Sequence, residues 1–189
     1  MNGDSARIPA GSQTVGPYFR IGLQYLIDRT PALTIDTPGA IEIRGRVLDR
    51  DGAPVTDAML EFWSTSMVAH GLNEDAAHGD LPTGFRRAPT DGEGRFSVLI
   101  QRPAAAPQED QHAHAPHALV LVFARGLLRH LITRVYLGDE QANESDAVLM
   151  SVPEDRRGTL IAPPDESRAG LYHWDVVLQG TGETVFFAW

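Results

Sequence analysis

Three imidazoles fall close together in the stretch HAHAPHALVLVF, at His112, His114 and His117. Imidazole is the side chain suited to proton transfer near neutral pH and is the commonest metal ligand. On a strand, residues i and i+2 share a face, so a His-x-His pair presents two rings to one metal ion. Here the position two beyond His117 is Leu119, and the pair is half missing. His112 and His114 precede Pro116 in a Pro/Ala-rich segment with nothing apolar to fix them, and are expected to be solvated loop residues. His117 opens an apolar run and is expected to be a hydrogen-bonded structural histidine. His70, His78, His130 and His173 have no recognisable spacing.

Other chemistries find no support. With no cysteine there is no thiolate nucleophile, thiolate cluster or disulfide. There is no G-x-S-x-G elbow, P-loop or G-x-G-x-x-G. Carboxylates spread over turns and loops are expected at the surface. Trp63, Phe96, Phe123 and Trp174 are expected in the core.

The elements that would carry these residues are strands. Ile41–Val47 alternates apolar and polar, and Asp49–Pro54 is a turn with Asp51-Gly52 at its tip. Ala58–Trp63, Gly94–Ile100, His117–Phe123 and Leu131–Leu137 follow, with Thr90-Asp91-Gly92 and Arg125-Gly126 as turns. Leu171–Gln179 and Thr184–Phe187 close the series, hinged at Gly180 and Gly182. Helical turns are expected only near Phe19–Leu26, Ala147–Val152 and Glu154–Leu160. This pattern predicts an all-β fold, a two-sheet β-sandwich with few short helices. Residues 1–40, rich in Gly, Pro, Ser and Thr, are expected to form an N-terminal arm, and 41–189 the sandwich domain. Two stretches, 64–89 and 102–115, lack periodicity and are expected as long loops.

The chain of 189 residues carries a net charge of −9, which argues against nucleic acid or an anionic membrane as partner. Its start has no apolar signal region, and its longest apolar run, Ala118–Ala124, is far short of the ~20 residues of a membrane span. A soluble, cytoplasmic protein is expected.

Several segments, in order, carry a resemblance. They are SQTVGPYF (12–19) followed by Ile21-Gly22-Leu23, the strand and turn through DRDGAPVTDAMLEFW (49–63), TDGEGRFSV (90–98), Pro116-His117 through FARG (123–126), TRVY (133–136), and Gln179-Gly180 with ETVFF (183–187). Together they resemble the intradiol ring-cleaving dioxygenases, in particular the protocatechuate 3,4-dioxygenase group, over nearly the whole chain.

That resemblance implies a transthyretin-like sandwich and an enzyme that opens a catecholic ring with O2. It also implies a non-haem Fe(III) held by two Tyr and two His, the His pair being an H-x-H strand. In the matching region this chain has His117 but Leu119, and no tyrosine between Tyr25 and Tyr136. Phenolate is the hard, charged donor that suits Fe(III), and nothing replaces it. The resemblance therefore points to the degenerate, iron-free member of an α/β pair, inactive alone, with the iron in the β subunit. It further implies that Thr14, Gly16, Pro17 and Tyr18 of the arm, with Arg134 of the TRVY strand, line the partner's substrate pocket. Two other readings stand beside it: a transthyretin-like binding or structural module, and an independent metalloenzyme using His112, His114 and His117.

Overall fold

The computed structural model describes residues 14, 16–27, 33–64, 84–105 and 114–188. Strand β1 (Ala40–Leu48) turns Ile41, Ile43 and Val47 inward and leaves Arg44 exposed, as its alternation requires. It pairs antiparallel with β4 (Arg95–Gln101), whose Phe96, Val98 and Ile100 also point inward. Two short strands, β8 (Leu171–His173) and β9 (Val176–Val177), run parallel to β1 and complete a four-stranded sheet. The second sheet has five strands in the order β3 (Phe85–Pro89), β2 (Met59–Ser64), β5 (His117–Phe123), β6 (Leu131–Leu137), β7 (Ile161–Ala162).

The two sheets close on one core. Phe62, Val120, Val122 and Val135 from the five-stranded sheet meet Ile43, Val47 and Phe96 from the other. Trp174 plugs it, its ring edge-on to Phe62 and Phe96, each at 6.5 Å, with Nε1 donating to the Thr159 carbonyl at 2.9 Å. Each such large buried side chain contributes about 1.5–3 kcal/mol of transfer free energy. The expected β-sandwich is the fold observed.

Helices are short. Helix α1 (Tyr18–Ile27) exposes Tyr18, Ile21 and Tyr25, while Phe19 stacks on Phe123 at 4.6 Å and seats the helix on the five-stranded sheet. Helices α2 (Ala147–Ser151) and α3 (Glu154–Arg157), with 3-10 turns at Gln141–Ser145 and Gly158–Leu160, cap one end. No described helix is long and apolar enough to cross a membrane.

Several expectations are corrected. β3 was hidden within an expected loop, because Arg86 and Arg87 mask the apolar period of FRRAP. Both are stabilised by partners: Arg86 Nη1 donates to the Phe85 carbonyl at 2.7 Å, and Arg87 pairs with Glu61, its cross-strand neighbour, at 2.7 Å. The strand expected over Leu171–Gln179 breaks at Trp174–Asp175, where Asp175 leaves the ladder to accept the Arg46 amide at 2.8 Å. Thr184–Phe187 forms no ladder; Thr133 Oγ1 and the Phe187 amide tie it to β6 instead. The strand expected from Gly94 begins at Arg95, because Gly94, at φ 70°, still belongs to the turn. Glu42, Asp57, Glu61 and Asp146 are buried, contrary to the surface placement expected for carboxylates. Trp63 and Phe123 are only half-buried and lie on the sheet face away from the core, since their register partners are Leu119 and Met59. His70, His78, His112 and much of the two long loops, residues 65–83 and 106–113, lie outside the described residues.

Candidate functional site

The chemistry-bearing side chains gather on the outer face of the five-stranded sheet. Strand alternation sends Ala118, Val120 and Val122 to the core and His117 and Leu119 to the opposite face. On β6 the same rule sends Thr133 and Val135 inward and Arg134 and Tyr136 outward. Register then builds two rungs. Trp63, Leu119 and Arg134 stand side by side on β2, β5 and β6; one rung along, His117 faces Tyr136.

Arg134 is held through Tyr136. Its Nη1 donates to the Tyr136 hydroxyl at 3.2 Å, and that hydroxyl donates to Asp146 Oδ1 at 3.0 Å. Asp146 is fully buried and acts as the N-cap of α2, accepting the Leu149 amide at 2.7 Å. Its other oxygen accepts the Ala115 amide at 2.9 Å and His114 Nδ1 at 3.4 Å. His114, expected to be a solvated loop residue, is thus half-buried and anchored; the carboxylate holding it lies 32 residues away in sequence. His117 is a buried structural histidine as expected, donating from Nδ1 to the Ala115 carbonyl at 2.8 Å and packing on the Tyr136 ring at 5.3 Å.

The electrostatics follow from this packing. Burial pushes the His117 imidazole down to about 4; the Ala115 hydrogen bond opposes this and the Arg134 charge reinforces it. Burial pushes the Tyr136 phenol up to about 12, against the pull of Arg134. For Asp146, burial works against the charge, but hydrogen bonds from the Leu149 and Ala115 amides, Tyr136 and His114 hold the carboxyl below its ordinary value. At neutral pH a neutral phenol and a neutral His117 therefore sit between an anion, Asp146, and a cation, Arg134.

These donors do not fit a ferric ion. His117 has committed one ring nitrogen to Ala115, Leu119 supplies no donor, and a guanidinium stands across from it. Among the described residues no group of three or more His, Cys, Asp or Glu is arranged to hold a metal. His112 lies outside that set, and the rings of His114 and His117 are 6.2 Å apart and edge-on, not converging.

The arm residues form a separate patch. Thr14 is exposed and its Oγ1 accepts the Gly16 amide at 3.1 Å. Gly16 takes φ 63°, which glycine adopts without strain, and the exposed Pro17 starts α1 by accepting the Ile21 amide. Tyr18 is 65% exposed. Among the described residues no hydrogen bond, ion pair or ring contact links Thr14, Gly16, Pro17 or Tyr18 to Arg134. Ser12, Gln13 and Val15 of the same motif lie outside the described residues.

A groove of about 1010 Å³ lies on the other sheet, with Arg44, Arg46, Arg95, His173 and Trp174 in its walls. Its arginines are closed into ion pairs with Glu42, Asp175 and Asp91. Among the described residues Arg134 reaches no carboxylate, unlike the arginines of this groove.

Sequence reasoning missed Tyr136 and Asp146. The signals were present: Tyr136 shares a face with Arg134 two residues on, and Asp146 precedes Ala147 in the N-cap position.

The sequence pattern of the family described as Dioxygenase matches residues 15–180. The chain belongs to the intradiol ring-cleavage dioxygenase family. This dioxygenase is 42% identical to the protocatechuate 3,4-dioxygenase alpha chain of Burkholderia cepacia, over 93% of this chain and 95% of that one. It is 30% identical to the beta chain of the same enzyme from that organism, over 76% of this chain and 66% of that one. Among solved structures it resembles the dioxygenase domain of a dioxygenase carbohydrate-binding protein fusion from Streptomyces sp. SirexAA-E. The TM-score is 0.56 with 24% identity, covering 92% of this chain and 99% of the other, a likeness of fold.

Proposed function

We propose that this dioxygenase is the iron-free α-type subunit of a protocatechuate 3,4-dioxygenase. In that reading the α/β holoenzyme cleaves protocatechuate with O2 to 3-carboxy-cis,cis-muconate, with non-haem Fe(III) in the β subunit. The Leu119–Arg134 rung carries the reading: a hydrocarbon and a fixed positive charge occupy the place where a metal-binding strand offers its second imidazole. The greater identity to an alpha chain than to a beta chain supports it.

The contribution of this chain is to the partner's pocket. Residues 1–40 act as an arm and 41–189 as the sandwich that carries it. Gly16-Pro17 lets backbone approach a ligand closely and then fixes φ. Tyr18 offers an exposed ring with a hydroxyl at its tip, and Thr14 a further hydroxyl. Arg134 supplies the positive charge that draws in an aromatic anion. The exposed apolar stripe of α1, Tyr18, Ile21 and Tyr25, is a surface for the β partner. The complex works in the cytoplasm, without nucleic acid or membrane.

Metal analysis and co-purification test this. The chain expressed alone should hold no iron and open no ring. Co-expressed with a paralogue bearing two Tyr and an H-x-H pair, it should co-purify and yield an active ferric complex. Stoichiometric iron in the lone chain would overturn the reading.

A further inference from the structure

We propose that Tyr136 and Asp146 are positioning residues for Arg134, bracing its guanidinium so that its unengaged Nη2 receives the carboxylate of an aromatic substrate. The inference rests on the reading of Arg134 as a pocket residue acting in trans, and adds to it the substrate group recognised and the residues that aim the cation.

The direction of the brace follows from donor counting. Arg134 can only donate, and ionised Asp146 can only accept. Tyr136 has one proton and spends it on Asp146 at 3.0 Å, so its oxygen is left to accept from Arg134 Nη1 at 3.2 Å. Asp146 cannot swing away, because two backbone amides, from Ala115 and Leu149, also hold it and it is fully buried. A long, rotamer-rich side chain is thereby fixed through a neutral group, without its charge being neutralised by a direct ion pair.

Other arginines of this chain are instead closed into ion pairs. Arg87, Arg95, Arg102 and Arg168 each reach a carboxylate within 3.2 Å. Among the described residues Arg134 reaches none, and its Nε is buried without an acceptor. With Nη1 engaged by Tyr136 and Nε closed off from solvent, Nη2 is left to donate a charge-assisted hydrogen bond to a carboxylate oxygen. Leu119 and the half-buried Trp63 on the same rung supply an apolar floor for a ring.

Binding to the co-purified complex tests this, with 4-hydroxybenzoate as the carboxylated probe and phenol as the uncarboxylated one, neither of which has the adjacent hydroxyl pair needed for cleavage. Titration calorimetry should show Tyr136→Phe weakening 4-hydroxybenzoate about fivefold, the worth of one hydrogen bond, with phenol unchanged. The same change made in an Arg134→Ala background should be silent, since the brace then has nothing to aim. Asp146→Asn, which keeps an N-cap acceptor, should act in the same direction as Tyr136→Phe and serves if that complex fails to assemble. Equal weakening of both probes would mean a merely structural role and overturn the proposal. Unchanged affinity in Tyr136→Phe, with 4-hydroxybenzoate lost in Arg134→Ala, would overturn the brace and leave Arg134 as a pocket residue. Full affinity in Arg134→Ala would overturn both.

Discussion

Leu119 stands directly opposite Arg134 across the β5–β6 ladder, both on the sheet face turned away from the core. Cross-strand neighbours lie about 5 Å apart, close enough for one to set the electrostatic environment of the other. Losing the second imidazole and having a fixed cation opposite it both disfavour a ferric ion at this place. An anion is what the surviving arrangement suits.

Leu119→His restores the H-x-H spacing and should still give a chain that holds only substoichiometric iron. The guanidinium opposite repels the metal, and no tyrosine between Tyr25 and Tyr136 is available as a phenolate donor. Metal analysis of the purified variant after incubation with ferric salt decides this; one iron per chain would show that the second histidine alone was limiting.

Acid should weaken the fold through His117. Its folded value of about 4 lies below the ordinary 6.5, so the unfolded chain binds a proton across a range where the folded one does not. The contribution is complete above pH 6.5 and is lost as pH falls toward 4, a swing of about 3 kcal/mol at 1.36 kcal/mol per unit. Asp146, His114, Tyr136 and Arg134 surround the ring, and Asp146 weakens the fold further only below its own ordinary range. Urea unfolding at pH 7 and 4.5 should show a smaller pH difference for His117→Gln, which keeps a donor for Ala115, than for the parent. Equal slopes would show that the imidazole is not held neutral.

Gly45 should be intolerant of any side chain. A Cβ there would lie 1.7 Å from the Trp174 carbonyl oxygen, at the point where β1 passes from pairing with β8 to pairing with β9. Gly45→Ala should cost about 3 kcal/mol or more by forcing that junction apart. Gly52→Ala, at φ 77° with nothing within 4 Å, should cost only the backbone strain of about 1–2 kcal/mol. Denaturant midpoints of the two variants compare them directly.

How far the sequence alone reached depends on how local each feature is. β5 and β6 were legible to the residue, His117–Phe123 and Leu131–Leu137, because alternation of burial is written directly into successive side chains. The absent second histidine and absent tyrosines were legible for the same reason, and with them the direction of the functional reading. β3 was not, since the Arg87–Glu61 pair that lets an arginine sit on a buried strand joins residues 26 apart. The break between β8 and β9 was not either, because it answers to an approach of Trp174 to Gly45 that only the paired sheet creates. The same holds for the site. Arg134 and His117 could be named from the chain, but the Asp146 that holds the Tyr136 hydroxyl under Arg134 is brought there by the packing of α2 against the sheet end, and the burial that keeps His117 neutral arises only in that packing. Residue types and periodicity determined which face each side chain takes. Which buried carboxylate meets which hydroxyl was decided only when the sheet, its register and the capping helix came together, since long-range hydrogen bonds depend on positions that no local pattern specifies.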